Sequence, residues 1–588
     1  MVMTRSFLPD CDTKQTGQDR SGRRTSSKEG KPTARKAHGD AGQDVGRSEC
    51  RSVTDRIRVQ SLPGAKASPR PTGEPSRENL ENRLDEGKRK KAERTCAPLE
   101  FSWSKIDWSR VQNEVWRLQM RIAKAVREKR WGKVKALQHL LVKSRAAKLW
   151  AVRRVTSNRG KSTPGVDGVI WTTARQKLAA VETLKRRGYR AQPLRRVYIP
   201  KKNQKLRPLG IPCMQDRAMQ ALYLLALNPI AETLADRNSY GFRLRRSVAD
   251  AWGQCYIALA KRYAPEWVFE ADIRACFDEI SHEWLLDHIP MDRKILKQWL
   301  KSGYLEEATF HRTLSGTPQG GIISPVIANM ALDGLEEIAR NAAPRNRRGP
   351  LPKVHVIRYA DDFVVTAGSR EMLEEQVIPA IERFLAERGL RLSQEKSKVT
   401  HIRDGFNFLG ANIRRYGKKF FMKPPSKNTR GFLQGLKDFL KERRGTSTWK
   451  VILELNRRIQ GWVNFYRCLV SSRTFRWLDS ELFASLWRWI RYRHQSKRKR
   501  WLKAKYFHRF GGSDWVFSAW RPSKASAQRS LFPALEGKWV RLLRASAVSI
   551  RRHIKVRGDA HPFDPAYAAY FRQRRRTPRT PILGGAMA

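Results

Sequence analysis

Arg358-Tyr359-Ala360-Asp361-Asp362-Phe363 is the stretch on which the fold turns. Val354, Val356 and Ile357 lead into it, and Phe363, Val364 and Val365 lead out. β-branched and aromatic residues on both sides of a short polar centre predict strand, turn, strand. Such a hairpin holds two adjacent carboxylates at its tip. Buried acids side by side repel each other and shift towards the neutral form. A hard divalent cation with oxygen ligands removes that penalty. Asp also favours ordinary turns, so the chemical reading needs a third carboxylate and a substrate pocket elsewhere in the chain.

Val268-Phe269-Glu270-Ala271-Asp272-Ile273 supplies the third acid, just ahead of Cys276-Phe277-Asp278-Glu279-Ile280. An apolar run ending in Asp predicts a strand that leaves the core with its acid at the end. Two-metal phosphoryl transfer needs carboxylates from different segments, converging on ions roughly 3.5–4 Å apart. On this reading Asp272 and Asp361 bridge two Mg²⁺ ions on a polymerase palm, and Asp362 is auxiliary. Asp278 reads as an ordinary surface acid.

With these residues in hand, the chain resembles the reverse transcriptases encoded by group II introns. Tyr359 to Asp362 is the YADD form of that family's YxDD box, and the Asp272 segment resembles its third block. Lys161-Ser162-Thr163-Pro164-Gly165-Val166-Asp167-Gly168 resembles block one. Tyr198-Ile199-Pro200-Lys201 with Arg207-Pro208-Leu209-Gly210-Ile211-Pro212 resembles block two, and Ser239-Tyr240-Gly241-Phe242-Arg243 the insertion after it. Gly316 to Pro325 resembles block four. Leu392-Ser393-Gln394-Glu395-Lys396-Ser397 with Phe408-Leu409-Gly410 resembles block six. The motifs keep the family's order from about Phe101 to about Tyr570. The resemblance implies an α+β right-hand polymerase: fingers and a palm with an antiparallel sheet, and a helical thumb; composition adds a disordered basic N-terminal arm, which the resemblance does not cover.

It also implies a substrate pocket. Lys201 and Arg207 lie on a predicted fingers hairpin, Arg195 to Ile211, turning at Lys202-Asn203-Gln204. By position they match the triphosphate contacts, a task that suits cations and the forked guanidinium above all. Phe277 matches the steric gate that packs under the sugar and selects deoxynucleotides. Gln319, in a Pro-Gln-Gly-Gly turn, matches a contact to the incoming nucleotide. Lys396 matches the basic residue of block six near primer or triphosphate. Solvated loop charge, a core phenylalanine and a helix-end lysine are the plain alternatives for these positions.

The formal net charge of +64 over 588 residues implies a polyanionic partner. Binding to it should weaken steeply with salt. Seven scattered cysteines form no C-x-x-C pair, which argues against a zinc ribbon or disulfide framework and suits a reducing cytosol. No segment is apolar and long enough to span a bilayer. The first residues, with Arg5 and Asp10, lack a signal core. A cytoplasmic, nucleoid-associated protein is expected.

The chain divides into five stretches. Residues 1–97 are basic and poor in apolar runs, and are predicted to be disordered. Residues 98–160 are predicted as helices, one carrying Val115, Leu118, Ile122 and Val126, a second carrying Val134, Leu137, Leu141 and Leu149. By resemblance they form an RNA-binding extension. Residues 161–425 would be fingers and palm. Residues 426–510 would be the helical thumb, or maturase domain X, marked by Leu455 to Trp462. Arg488, Arg491, Arg493, Lys497, Arg498, Lys499 and Arg500 give it a basic surface interleaved with aromatics, which suits single-stranded nucleic acid. Residues 511–588 resemble a basic DNA-contacting segment. No cysteine follows Cys468, so the H-N-H endonuclease of many relatives is not expected.

The implied reaction is attack of a primer 3′-hydroxyl on a deoxynucleoside triphosphate (dNTP), templated by RNA. The implied partners are the parent intron RNA, bound to assist splicing, the RNA template, and the DNA primer or target into which the intron is copied. A nascent strand at a replication fork would supply the primer. Whether the chain works as a homodimer is open. The competing readings are a domesticated enzyme in repair or phage defence, an RNA-binding splicing factor without polymerase activity, and an RNA-dependent RNA polymerase.

Overall fold

The palm is a four-stranded sheet of order β6-β7-β3-β8, built from β3 (Trp267–Asp272), β6 (His355–Tyr359), β7 (Asp362–Ala367) and β8 (Lys398–His401). All three of its pairings are antiparallel. The computed structural model describes residues 102–200, 206–307, 309–343, 352–522 and 537–576. The basic N-terminal arm expected over 1–97 and Lys201 lie outside the described residues.

Both faces of the palm sheet are covered, which is why its strands read as near-continuous apolar runs. Side chains alternate between two cores at the strand period of two. Phe269, Ala271, Val356, Phe363 and Val365 face a core shared with the N-terminal helices. Val268, Ile357 and Val364 face a second core shared with the C-terminal helices. At the centre of the first lies the helix Met214–Leu234, buried around most of its circumference.

The fingers carry a second sheet of order β2-β1-β4-β5, from β1 (Leu194–Pro200), β2 (Leu206–Ile211), β4 (Tyr304–Glu306) and β5 (Thr309–His311). β1 and β2 pair from Arg195↔Ile211 to Pro200↔Leu206, as the sequence predicts. A small antiparallel sheet of β9 (Phe406–Phe408), β10 (Ala411–Tyr416) and β11 (Lys419–Lys423) leads into the thumb.

The N-terminal extension has three main helices rather than two: Trp108–Arg127, Trp131–Lys143 and Arg145–Ser157. Ser144 makes the difference. Its extended ψ of 130° ends one helix, and its hydroxyl accepts from Ala147 N to cap the next. Leu149, assigned by periodicity to the second helix, therefore sits on the third.

The thumb holds the helices Ser426–Glu442, Thr448–Tyr466, Ser472–Arg493 and Lys499–Tyr506. Apolar residues at helical spacing form their core: Ile452, Leu455, Ile459, Leu482, Leu486, Trp489 and Ile490 are buried, and Trp462 is partly buried. The chain then forms a three-stranded sheet of β12 (Phe507–Phe510), β13 (Ser513–Pro522) and β14 (Gly537–Arg541).

Residues 545–576 form a strap from the thumb back to the polymerase body. Asp479 of the thumb accepts from Ala545 N and Ser546 N. Fully buried Asp250 accepts from His553, Val556 N and Arg574 at 2.7–2.8 Å. Burial pushes the Asp250 carboxyl up, but the His553 hydrogen bond and the charges of His553 and Arg574 outweigh it and hold it down to about 2. Asp564 pairs with Arg127 of the first long helix at 2.6 Å.

Candidate active site

β6 and β7 close on Tyr359↔Asp362, which leaves Ala360 and Asp361 as a two-residue turn. The tip therefore holds one carboxylate, not two. Asp361 stands in the turn, whereas Asp362 is already in β7 and lies opposite Asp272 on β3. Two acids on neighbouring strands and a third in the adjoining turn thus lie at one edge of the palm. Burial raises the Asp362 carboxyl to about 7, with the charges of Asp361 and Asp272 adding to the effect. Burial also raises Asp361, and Asp272 adds to it.

Ala360 adopts φ 60°, a left-handed conformation that costs an L-residue energy and that such turns normally give to glycine. The surroundings enforce it. A Cβ on Gly241 would stand 2.4 Å from Ala360 N, so only glycine lets its segment lie against the turn. Tyr240 N donates to Arg358 O at 2.8 Å, and Arg358 N donates to Asn238 O at 2.9 Å. Arg358 is 1% exposed and reaches Asp333 at 2.5 Å and Asn329 Oδ1 at 3.1 Å. Asn329 in turn donates to Gly241 O at 2.7 Å. This scaffold was not read from the sequence. Its signal was there: a lone cation within the apolar run ahead of the turn implies a buried partner.

The remaining predicted site residues gather around the acids in three places. Lys396 pairs with Asp272 and lines, with Glu270, Asp362 and Asn407, a cleft of about 260 Å³. Phe277 is half-buried and lines a narrow recess with Cys276, Ala360 and Asp361. Arg207 and Gln319 are joined, since Arg207 Nε donates to Gln319 Oε1 at 3.1 Å. Gln319 Nε2 donates to Asp278 at 2.7 Å, so Asp278, read as a plain surface acid, anchors the glutamine. The turn itself is stapled beneath Phe277: Thr317 N donates to Phe277 O at 2.6 Å.

On the thumb, Arg488, Arg491, Lys497, Arg498, Lys499 and Arg500 are exposed. Arg493 differs. It is half-buried, stacks 4.5 Å over Trp489 and donates to Thr446 O at 2.9 Å, which ties it to the fold.

Known families match the same segments. Reverse transcriptase (RNA-dependent DNA polymerase) covers residues 199–413, and the N-terminal domain of reverse transcriptase covers 103–184. The group II intron maturase-specific domain covers 429–507. Protein YkfC of Escherichia coli is 33% identical over 346 residues, 51% of this chain and 88% of that protein. The group II intron-encoded protein LtrA of Lactococcus lactis is 32% identical over 334 residues, 45% of this chain and 54% of LtrA.

The chain belongs to the group II intron reverse transcriptases. A third relative, an uncharacterized 91 kDa protein in the cob intron of Schizosaccharomyces pombe, is 27% identical over 45% of this reverse transcriptase and 40% of its own length. A telomerase from Candida albicans overlays 54% of this chain and 64% of its own at a TM-score of 0.33 and 12% identity, too loose a likeness to argue from. The matched segments make this an RNA-directed DNA polymerase with a maturase domain, and so a nucleotidyltransferase that handles nucleic acid. Among the described residues, no helix is long and apolar enough to cross a membrane.

Proposed function

We propose that this reverse transcriptase extends a DNA primer on an RNA template at Asp272 and Asp361, binds its parent intron RNA to assist splicing, and copies that RNA into DNA during homing. The observation that carries the proposal is the register of the palm: Asp272 faces Asp362 across β3 and β7, with Asp361 next to it in the turn.

The donor set fits magnesium. All candidate ligands are carboxylate oxygens, as a hard cation prefers. Among the described residues no group of three His, Cys, Asp or Glu side chains is placed to hold a metal ion by itself. Mg²⁺ seldom uses an all-protein cage; it binds one or two carboxylates and completes its shell with substrate phosphates and water. Asp272 and Asp361 would hold the two ions, with Asp362 beside them. When bound, the ions supply Lewis acidity towards the primer hydroxyl and the leaving phosphates.

The other residues bind and orient. Arg207 offers its guanidinium to the triphosphate from the fingers, and Lys201 is the second contact that the block-two resemblance implies. Gln319, fixed between Arg207 and Asp278, presents its amide to the nucleotide. Phe277 lies under the sugar. Lys396, paired with Asp272, is the basic contact to primer or triphosphate that the block-six resemblance implies. Catalysis is then mainly positioning and charge stabilisation. The exposed thumb cations hold intron RNA and template. A cytosolic site of action, where RNA, primer and dNTPs meet, suits this chemistry.

The test uses the full chain, a DNA primer annealed to an RNA template, dNTPs and Mg²⁺. Templated cDNA is expected. Intact template binding without extension would overturn the polymerase reading.

A further inference from the structure

Phe242 lies beside the acids, and the fold holds it there against two ordinary preferences. Its φ of 56° is left-handed, an outlier for a bulky residue. It also leaves 44% of its surface exposed. Its neighbours prevent relaxation. Tyr240 is pinned to Arg358 O, and Gly241 is wedged against the Ala360 turn. On the other side Arg243 is locked in a buried pair with Glu232 at 2.9 Å and donates to Asp236 O at 2.7 Å. Strain maintained by over-determined surroundings gathers where geometry serves function. Ala275, three residues after Asp272, and Ala360, next to Asp361, share the left-handed conformation.

The strained backbone delivers the Phe242 ring to Phe277. The two rings meet edge to face, centroids 6.3 Å apart and planes at 81°. Both line the recess that holds Asp361 and Ala360. Phe277 is partly buried and packs against the core. Phe242, the more exposed of the two rings, packs against Phe277.

We infer that Phe242 is a positioning residue for sugar selection: its edge contact fixes Phe277 at the height where that ring meets the 2′-position of the incoming nucleotide. The inference rests on the polymerase reading above. Without Phe242 the Phe277 ring gains room to tilt, and a ribonucleotide is tolerated better. An edge-to-face pair corresponds to a change of roughly three- to tenfold.

The experiment measures kcat/KM for a deoxynucleotide and the matching ribonucleotide on an RNA template. It compares wild type, Phe242→Ala, Phe242→Tyr, Phe277→Ala and the double alanine variant. Phe242→Ala should lower the deoxy-to-ribo ratio roughly three- to tenfold, mainly through a lower KM for the ribonucleotide. Phe242→Tyr should restore it. In the double variant the loss should not exceed that of Phe277→Ala, because both act through one ring. Phe242→Gly removes ring and strain together and should fold at least as well as wild type while losing the same selectivity. A wild-type ratio in Phe242→Ala or Phe242→Gly, or losses that multiply in the double variant, would overturn the inference alone. A wild type that adds no nucleotide would overturn the polymerase reading and this inference with it.

Discussion

Behind the acidic turn, Arg358 Nη2 lies 2.5 Å from Asp333 Oδ1, with the arginine side chain 1% exposed and the aspartate 13%. Burial raises the Asp333 carboxyl to about 6 even though Arg358 opposes it. This pair is the back support of the turn that carries Asp361. Removing one partner of such a pair costs about 3–5 kcal/mol, because the other is left buried and uncompensated. Arg358→Leu should therefore show a loss of that order in urea melts near neutral pH. The loss should shrink in acid, where Asp333 is neutral. Equal melts for variant and wild type at neutral pH would show that the pair bears no load.

Gly241 acts on the same turn from the other side. A methyl group there would meet Ala360 N at 2.4 Å and Tyr359 C at 2.8 Å, both backbone atoms that cannot swing aside. Gly241→Ala should push the Asp361 turn outward. Displacement of a reacting group by about 1 Å costs about 100-fold in rate. Single-turnover extension should fall by that order while circular dichroism stays near wild type.

How much of this was legible in the sequence follows from the kind of interaction. The palm strands were legible, because β-branched runs flank the turn and both sheet faces are buried. The acid ending β3 was legible too. The assignment of two carboxylates to the tip was not correct in register, since composition cannot say whether a turn has two residues or four. Tyr359↔Asp362 decides that. Ser144 was invisible to periodicity because the apolar spacing continues across it. Gly241, Asn329 and Asp333 were silent because their contacts with the turn segment span 25 positions or more along the chain. Arg493 looked like its exposed neighbours, and only its seat on Trp489 sets it apart.

Asp216 gives a pH-dependent test away from the acids. It is buried and accepts from Tyr189 Oη at 2.5 Å and Gln192 N at 3.2 Å. Burial nevertheless raises its carboxyl to about 6, from 3.8 in the unfolded chain. The native state thus holds this proton to higher pH. The resulting stability is complete below about pH 3.8 and is lost as pH rises through about 6. Asp216→Asn has no proton to lose. Its melting temperature relative to wild type should climb between about pH 4 and about pH 7 and then level off. A difference independent of pH would contradict the assignment.

The thumb cations should be read by salt. Replacing Arg491, Lys497, Arg498, Lys499 and Arg500 with Ala should flatten the slope of log Kd against log salt by up to about 3.5, at ~0.7 per phosphate on single-stranded RNA. Adding Arg493→Ala should instead lower the melting temperature. An unchanged slope would place the RNA elsewhere.

The central claim is that Asp272 and Asp361 carry the chemistry of this reverse transcriptase. The most direct test is single-turnover primer extension in Mg²⁺ by Asp272→Ala and Asp361→Ala, each checked for folding and for template binding. Both variants should bind primer and template as wild type does and yield no cDNA. Extension by either folded variant at the wild-type rate would contradict the claim.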